Sequence, residues 1–184
     1  MKHLGTKELE SDRLILRRFT LADAKAMYHN WASDDEVTRY LTWPSHASQD
    51  VTAEILQIWV KGYEETTTYS WAICLKSDPD HPIGSIALGI NDERLEAMEI
   101  GYALGKAWWR QGFMSEAFER LIKFAFEELE INRLVGHHSV ENPNSGLVME
   151  KCGMQYEGRI RQSAFDNQGK LIDLFQYSLL ASDL

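Results

Sequence analysis

The chain has 184 residues, of which 44% are hydrophobic, and these values are typical of a single globular domain spanning residues 1–184. Its 19 Lys and Arg residues are outnumbered by 28 Asp and Glu residues, and the net charge of -9 argues against a nucleic-acid partner. The two cysteines, Cys74 and Cys152, form neither a zinc-binding nor a disulfide pattern, so we expect no metal and a reducing compartment.

The N-terminus has no apolar run that could serve as a signal sequence. No later stretch approaches the roughly 18 consecutive apolar residues of a membrane span. We therefore expect a cytoplasmic protein with no membrane partner.

The first half of the chain predicts a strand, two helices and an antiparallel meander. Residues 13–19 are predicted as a strand, and Thr20 with Asp23 begins a helix in a near capping box. A second helix begins near Ser48 and ends near Gly62. Three strands follow, with the sequences YSWAICL, IGSIALGI and AMEIGYAL, joined by the turn SDPDHP and the loop NDERLE.

The second half predicts a βαβ unit and a hairpin. Residues 115–129 form an amphipathic helix that leads into the strand RLVGHH. AMEIGYAL and RLVGHH, the fourth and fifth predicted strands, should therefore be parallel with a right-handed crossover. A short helix over 144–152, stopped by Gly153, and a hairpin around DNQG complete the chain. The predicted fold class is α/β with a mixed sheet.

The turn GKAWWRQGFMSEA, residues 105–117, joins the fourth strand to a helix N-terminus. Free backbone N–H groups and the positive end of the helix dipole meet there, and Gly112 lets an anion approach the backbone. The segment carries Lys106 and Arg110 and has no acid before Glu116. It is therefore a candidate phosphate site, although glycine and basic residues also occur in such turns for geometry and solubility.

The segment VENPNSGLVMEKCGMQYEG, residues 140–158, has a structural interpretation of its own. Asn142 suits the N-cap, Pro143 the first helical position and Gly153 the position after the helix. Because Asn142 directly follows the fifth strand, its amide could also pair with an extended amide-bearing ligand beside the sheet.

The order of elements, the strand EIGYAL, the WWRQGFMSEA turn and the NPNSGLVMEKCGMQYEG block resemble the GNAT N-acetyltransferase superfamily. Within it they resemble the branch of the RimJ/RimL ribosomal-protein N-terminal acetyltransferases. The resemblance covers nearly the whole chain and is most specific from Asn142 to Gly158. It implies a GNAT-like fold with splayed fourth and fifth strands. It further implies acetyl-CoA as co-substrate and direct acetyl transfer to a primary amine, with a protein N-terminus as the leading acceptor.

The resemblance also implies where acetyl-CoA would be held. Backbone amides from Arg110 to Ser115 would bind the pyrophosphate, and the pantetheine would lie between the splayed strands. The implied cofactor-binding residues are Ile100, Tyr102, Arg110, Gln111, Gly112, Phe113, Met114, Ser115, Asn142 and Lys151. Two features depart from the family pattern. The family's pyrophosphate motif is Q/R-x-x-G-x-G/A, but in this sequence Trp109 occupies its first position and Met114 its last. Met149 stands where many members have a proton-donating tyrosine.

Glu99 is the candidate general base, because a carboxylate within an apolar strand is costly unless it is paired or wet. In similar sequences its counterpart faces the acceptor. Pairing with Arg94 or Arg133 is the structural alternative. His137 and His138 are further candidates for the base, since adjacent strand residues point to opposite faces, but each also suits a hydrogen-bonded core histidine.

Ser145 is the candidate proton donor to the coenzyme thiolate, although a serine in a first helical turn often serves the helix start instead. An α-amine with a pKa near 8 needs roughly 1.4 kcal/mol to lose its proton at pH 7, whereas lysine needs about 4.6 kcal/mol. Two alternatives remain beside the protein N-terminus. One is a small amine such as a polyamine, an amino acid or an aminoglycoside, and the other is a non-catalytic acyl-CoA-binding protein. The resemblance is also compatible with a homodimer.

Overall fold

The computed structural model describes residues 1–184 and contains one sheet of eight strands. The strands are β1 Leu9–Glu10, β2 Leu14–Arg17, β3 Tyr69–Leu75, β4 Gly84–Asp92, β5 Ala97–Leu104, β6 Arg133–Ser139, β7 Gln155–Phe165 and β8 Leu171–Leu180. Their order across the sheet is β1-β2-β3-β4-β5-β6-β8-β7, and only β5 and β6 are parallel. The mixed α/β class is confirmed. The fourth and fifth predicted strands are β5 and β6, because the two-residue β1 is too short to give a pattern.

The helices are α1 Ala24–Met27, α2 Asp35–Thr38, α3 Gln49–Gly62, α4 Phe113–Lys123 and α5 Pro143–Lys151. The predicted start of α3 is confirmed, because the hydroxyl of Ser48 accepts a hydrogen bond from the Val51 N–H at 3.4 Å. Single π-turns continue α1 through Tyr28–Ala32 and α4 through Phe124–Glu128. The helix predicted over residues 115–129 is thus present, but it begins two residues earlier, at Phe113.

The parallel pairing of β5 with β6 is short. It runs only from Ala97, opposite Arg133, to Ile100, opposite Gly136. Beyond these residues β5 stays paired with β4 and β6 stays paired with β8. The two strands therefore separate along residues 101–104 and 137–139, and the prediction of splayed strands is confirmed.

The two faces of the sheet are covered by different helices. One core lies between the sheet and the helices α4 and α5, with Phe118 and Leu134 among its members. A second core, which includes Leu56 and Ala103, lies under α1 to α3. Because neighbouring strand residues alternate between faces, Tyr102 packs toward α4 while Ala103 faces the other side. None of the helices has the length and apolarity needed to cross a membrane.

Candidate active site

A cleft of about 1180 Å³ opens where β5 and β6 separate. Its walls come from the region of α2 and α3, from β5, from the start of α4, from the end of β6 and from α5. The separated strands thus make an opening in the sheet that both helical layers border.

One end of the cleft is the N-terminus of α4. Gly112 caps this helix with a backbone φ of 82°, which is left-handed and favours glycine. Gly112 has no side chain that could cap the helix by accepting a hydrogen bond. The N–H groups of Phe113, Met114 and Ser115 also have no partner within the helix, because they belong to its first turn. These donors and the helix dipole favour an anion at this point.

Arg13 contacts the turn that precedes α4 and holds it in place. The sequence alone did not indicate this residue. Its guanidinium lies 4.2 Å from the centre of the Phe113 ring, and its NH1 donates to the carbonyl oxygen of Gln111 at 3.2 Å. Its Nε donates to the Glu116 carboxylate at 2.6 Å. The residue is distant in sequence from the turn, so no local pattern could have identified it.

Nearly all predicted site residues line this one cleft. They are Glu99, Ile100, Tyr102, Arg110, Gly112, Phe113, Met114, Ser115, Asn142, Ser145 and Lys151. Gln111 is the exception, because its side-chain amide turns back and donates to the Ala107 carbonyl at 2.8 Å. Its side chain is therefore directed into the turn rather than toward the cleft.

Two hydroxyl groups meet between β5 and α5. The Tyr102 hydroxyl lies 2.8 Å from the Ser145 Oγ and also donates to the Ser145 carbonyl at 3.0 Å. Burial raises the pKa of Tyr102, so this phenol holds its proton tightly. Met149 is fully buried on another side of α5, against Gly136, and does not line the cleft. The available hydroxyls of this region thus belong to Tyr102 and Ser145.

Glu99 pairs with a histidine and not with the arginines considered from the sequence. Its Oε1 lies 2.9 Å from Nδ1 of His137, and this contact is the main cause that raises the pKa of His137 above its ordinary value. Arg133 instead bonds to Glu157. Glu99 keeps 44% of its side chain exposed, so the carboxylate is available from the cleft.

His138 points to the opposite face of β6 and is buried. Its Nδ1 donates to the carbonyl of Ser139 at 2.8 Å, and its ring packs against Phe175 and Tyr177. A Cβ at Gly146 would lie 2.7 Å from its Nε2, so the glycine makes room for the ring. The interpretation of this residue as a core histidine fits these contacts.

Asn142 precedes α5, but its side chain makes no capping hydrogen bond. The residue lines the cleft, so its amide is available to a ligand. The two cysteines are free and buried, and burial raises the pKa of both Cys74 and Cys152 to about 12. Neither thiol is activated as a nucleophile.

The Acetyltransferase (GNAT) domain family model matches residues 13–155 of the chain. The uncharacterized N-acetyltransferase YoaA of Bacillus subtilis (strain 168) is 33% identical over 172 residues, which are 94% of this chain and 96% of YoaA. The ribosomal-protein-serine acetyltransferase of Escherichia coli (strain K12) is 33% identical over 88 residues, which are 48% of this chain and 49% of that protein.

A solved structure of RimL, a ribosomal alpha-N-protein acetyltransferase in complex with coenzyme A, has the same fold. Its TM-score is 0.82 at 21% identity, and the match covers 95% of this chain and 98% of RimL. The family model covers most of the chain, and YoaA matches it almost from end to end. The chain therefore belongs to the GNAT acetyltransferase family and is an N-acetyltransferase.

Proposed function

We propose that this enzyme transfers an acetyl group directly from acetyl-CoA to the N-terminal α-amine of a protein or peptide. The observation that carries the proposal is the common cleft. It brings together the free amides at the start of α4, the hydroxyls of Tyr102 and Ser145, and the carboxylate of Glu99. These groups would serve as an anion site, proton donors and a base.

The residues of the cleft suit acetyl-CoA, the co-substrate that GNAT acetyltransferases use. The unpaired N–H groups from Phe113 to Ser115 suit a pyrophosphate, with Arg110 and Lys151 as nearby cations. The opening beside Tyr102, just past the last paired residue Ile100, suits the amide-bearing pantetheine arm, and Asn142 offers a further amide. Bound acetyl-CoA would supply a thioester carbonyl that an amine can attack.

The chain's own residues manage the protons of the reaction. The new bond joins the amine nitrogen to the acetyl carbon, and the bond to the coenzyme sulfur breaks. Glu99 accepts the proton that the amine loses, directly or through a water. Ser145, hydrogen-bonded to Tyr102, donates a proton to the departing thiolate and regains one from solvent, and Glu99 releases its proton to solvent, so the enzyme is restored. No enzyme nucleophile is needed, and the buried cysteines agree with this.

Two observations favour a protein N-terminus as the acceptor: the low cost of deprotonating an α-amine, and the similarity of the chain to acetyltransferases of proteins. An α-amine has a pKa near 8, so its deprotonation at pH 7 costs roughly 1.4 kcal/mol, against about 4.6 kcal/mol for lysine. Glu99, with 44% of its side chain exposed, therefore has less work to do as a base for an α-amine than for a lysine. The ribosomal-protein-serine acetyltransferase and RimL are both named as acetyltransferases of proteins, which supports a protein acceptor here.

The test is the release of free thiol from acetyl-CoA in the presence of matched acceptors. One peptide begins with serine and contains an internal lysine, and a second has the same sequence with a blocked N-terminus. We expect thiol release with the first peptide only, and mass spectrometry should locate the acetyl group on the α-amine.

Polyamines, amino acids and aminoglycosides form the third set of acceptors. Turnover confined to these small amines would contradict the protein acceptor while leaving the acetyl-CoA site in place. Failure to bind acetyl-CoA in a calorimetric titration would contradict the whole proposal.

A further inference from the structure

Glu99 is the first member of a series of hydrogen bonds that runs from the cleft into the C-terminal hairpin. Nδ1 of His137 lies 2.9 Å from Glu99, and Nε2 of His137 lies 2.9 Å from Oε1 of Gln176. Nε2 of Gln176 donates to Glu157 at 2.7 Å, and Arg133 bonds to the same carboxylate oxygen. Five side chains from four strands thus form one connected line.

The far end of this line determines where the hydrogens lie. Glu157 is ionised, because the hydrogen bond from Arg133 and those from Gln176 and Ser178 lower its pKa to about 2. A carboxylate only accepts, so Gln176 must present its NH₂ group to Glu157 and its carbonyl oxygen to His137. His137 therefore faces an acceptor at each ring nitrogen, and only the imidazolium form donates to both.

We propose that His137 is a positioning residue that, as an imidazolium, holds the Glu99 carboxylate in place for the acceptor amine. The proposal rests on the proposed function, because it assumes that Glu99 is the base. A ring that donates from both nitrogens has no lone pair left for an incoming proton. Glu99, in contrast, uses Oε1 for His137 and makes no hydrogen bond through Oε2. The two base candidates of the sequence therefore have different tasks.

The charges around the ring favour the cation. The acids that raise the pKa of His137 are Glu99 on β5 and Glu157 on β7, and burial opposes them. Arg133, the basic group of the series, is paired with Glu157. Because the pKa of His137 is raised above its ordinary value, the imidazolium is retained to a higher pH than in an unperturbed histidine and is lost as the pH rises through the raised value. The hold on Glu99 should weaken as this proton is lost.

The first experiment needs no turnover. The ring nitrogens of His137 are followed by ¹⁵N NMR from pH 5 to 9, and their signals are assigned by their loss in His137→Ala. At pH 6.5 we expect mostly the doubly protonated ring, and we expect the titration midpoint to fall in Glu99→Gln. A neutral ring at pH 6.5, or a midpoint that Glu99→Gln leaves unchanged, would overturn the proposal.

The second experiment is a double-mutant cycle on kcat with Glu99→Gln, His137→Ala and the combined variant. His137→Ala alone should lower kcat about tenfold, within the range of coupling between contacting residues, and leave the KM for acetyl-CoA within about twofold. In the Glu99→Gln background the same change should alter kcat less than about twofold.

Full additivity of the two changes would mean that His137 does not act through Glu99. The exposed His29 supplies the matched control, and His29→Ala should leave kcat unchanged. Absence of turnover with every acceptor would contradict the proposed function, yet the NMR titration would still decide the state of His137.

Discussion

The phenol of Tyr102 combines two roles that a substitution can separate. Its ring lies 5.7 Å from that of Phe118 in the core, and its hydroxyl contacts Ser145 at the cleft. Tyr102→Phe keeps the ring and removes the hydroxyl. We expect kcat to fall about tenfold, because a hydrogen bond that orients a proton donor contributes on the order of 1 to 2 kcal/mol. Steady-state kinetics with the peptide acceptor measures this effect.

Tyr156→Phe is the control for this substitution, since Tyr156 is an exposed residue that does not line the cleft. It should leave kcat unchanged. If Ser145→Ala lowers kcat and Tyr102→Phe has no further effect in that background, the two hydroxyls act as one unit. If both single variants keep the wild-type kcat, neither hydroxyl takes part in the reaction.

The sequence identifies the candidate side chains of the active site better than it identifies their hydrogen-bond partners. Glu99 is a candidate because an acid is costly in an apolar strand, and His137 is a candidate because one of two adjacent strand histidines should face the cleft. Their contact was not predictable, since it depends on the register of β5 against β6. Gln176 and Glu157 gave no sequence signal at all, because polar residues are common on an exposed hairpin.

Among the elements, the N-terminus of α4 gives a test of the anion site. Gly112 has a positive φ, which Asn and Asp tolerate better than other residues, so the pair Gly112→Asn and Gly112→Asp differs mainly in charge. We expect Asp to bind coenzyme A about ten- to hundredfold more weakly than Asn, since a charge beside a phosphate costs about 1 to 3 kcal/mol at an effective dielectric near 20.

Isothermal titration with coenzyme A measures the difference between the two variants, and thermal unfolding checks that both are folded. A Cβ at this position would lie 3.5 Å from the nearest atom, an NH2 of Arg13, so steric crowding does not separate Asn from Asp. Equal affinities in the two variants would show that no phosphate lies at the start of α4.

Strand β5 offers a test of the acceptor side of the cleft. Gly101 shares its face with Glu99, its φ is not positive, and a Cβ there would meet no atom within 4 Å. Its backbone therefore does not require glycine, and the missing side chain keeps the cleft open. Gly101→Val should raise the acceptor KM about tenfold by blocking contacts next to the base, with a smaller effect for Gly101→Ala.

The same substitution should not weaken the fold. Glycine within a strand is about 0.5 to 1 kcal/mol less favourable than alanine, and valine suits a strand better still. We expect an unchanged or higher free energy of unfolding and an unchanged affinity for coenzyme A. An unaltered acceptor KM in Gly101→Val would place the acceptor elsewhere in the cleft.

How far the elements follow from sequence depends on their length. The helices α3 and α4 are long and carry clear periodicity, so the sequence predicts their positions within a few residues, and the turn DNQG predicts the β7–β8 hairpin without the bounds of its strands. The four-residue α2 and the two-residue β1 were missed, because segments this short show no period. The π-turn at Phe124–Glu128 was also missed, since it alters the hydrogen bonding of α4 without altering its apolar stripe.

Acid should reduce the stability of the protein through carboxylates that the fold holds ionised. Hydrogen bonding to Arg133 lowers the pKa of Glu157 to about 2. Burial favours a higher pKa for Glu116, but the hydrogen bonds from Arg13 and Ser11 outweigh it and lower the pKa. A lowered folded-state pKa stabilises the protein above the unfolded value near 4.3, and this contribution is lost as the pH falls from about 5 toward 2.

Urea unfolding at pH 7, 5 and 3 measures this dependence. Glu157→Gln should lower the free energy of unfolding at pH 7 and make it less sensitive to acid than in the wild type. Glu54→Gln, at an exposed position on α3, should match the wild type at every pH. Parallel curves for Glu157→Gln and the wild type would contradict the role of Glu157.

Because the pairing between β5 and β6 ends early, some backbone amides of β5 should exchange their hydrogens with solvent unusually fast. Between residues 101 and 104, amide protons that point away from β4 have no neighbouring strand to bond with. In deuterated solvent these protons should exchange quickly although they lie in the middle of a sheet. They should become protected only while a substrate with its own amide groups fills the space, so the time course of deuterium uptake would report occupancy of the enzyme without a label on either reactant.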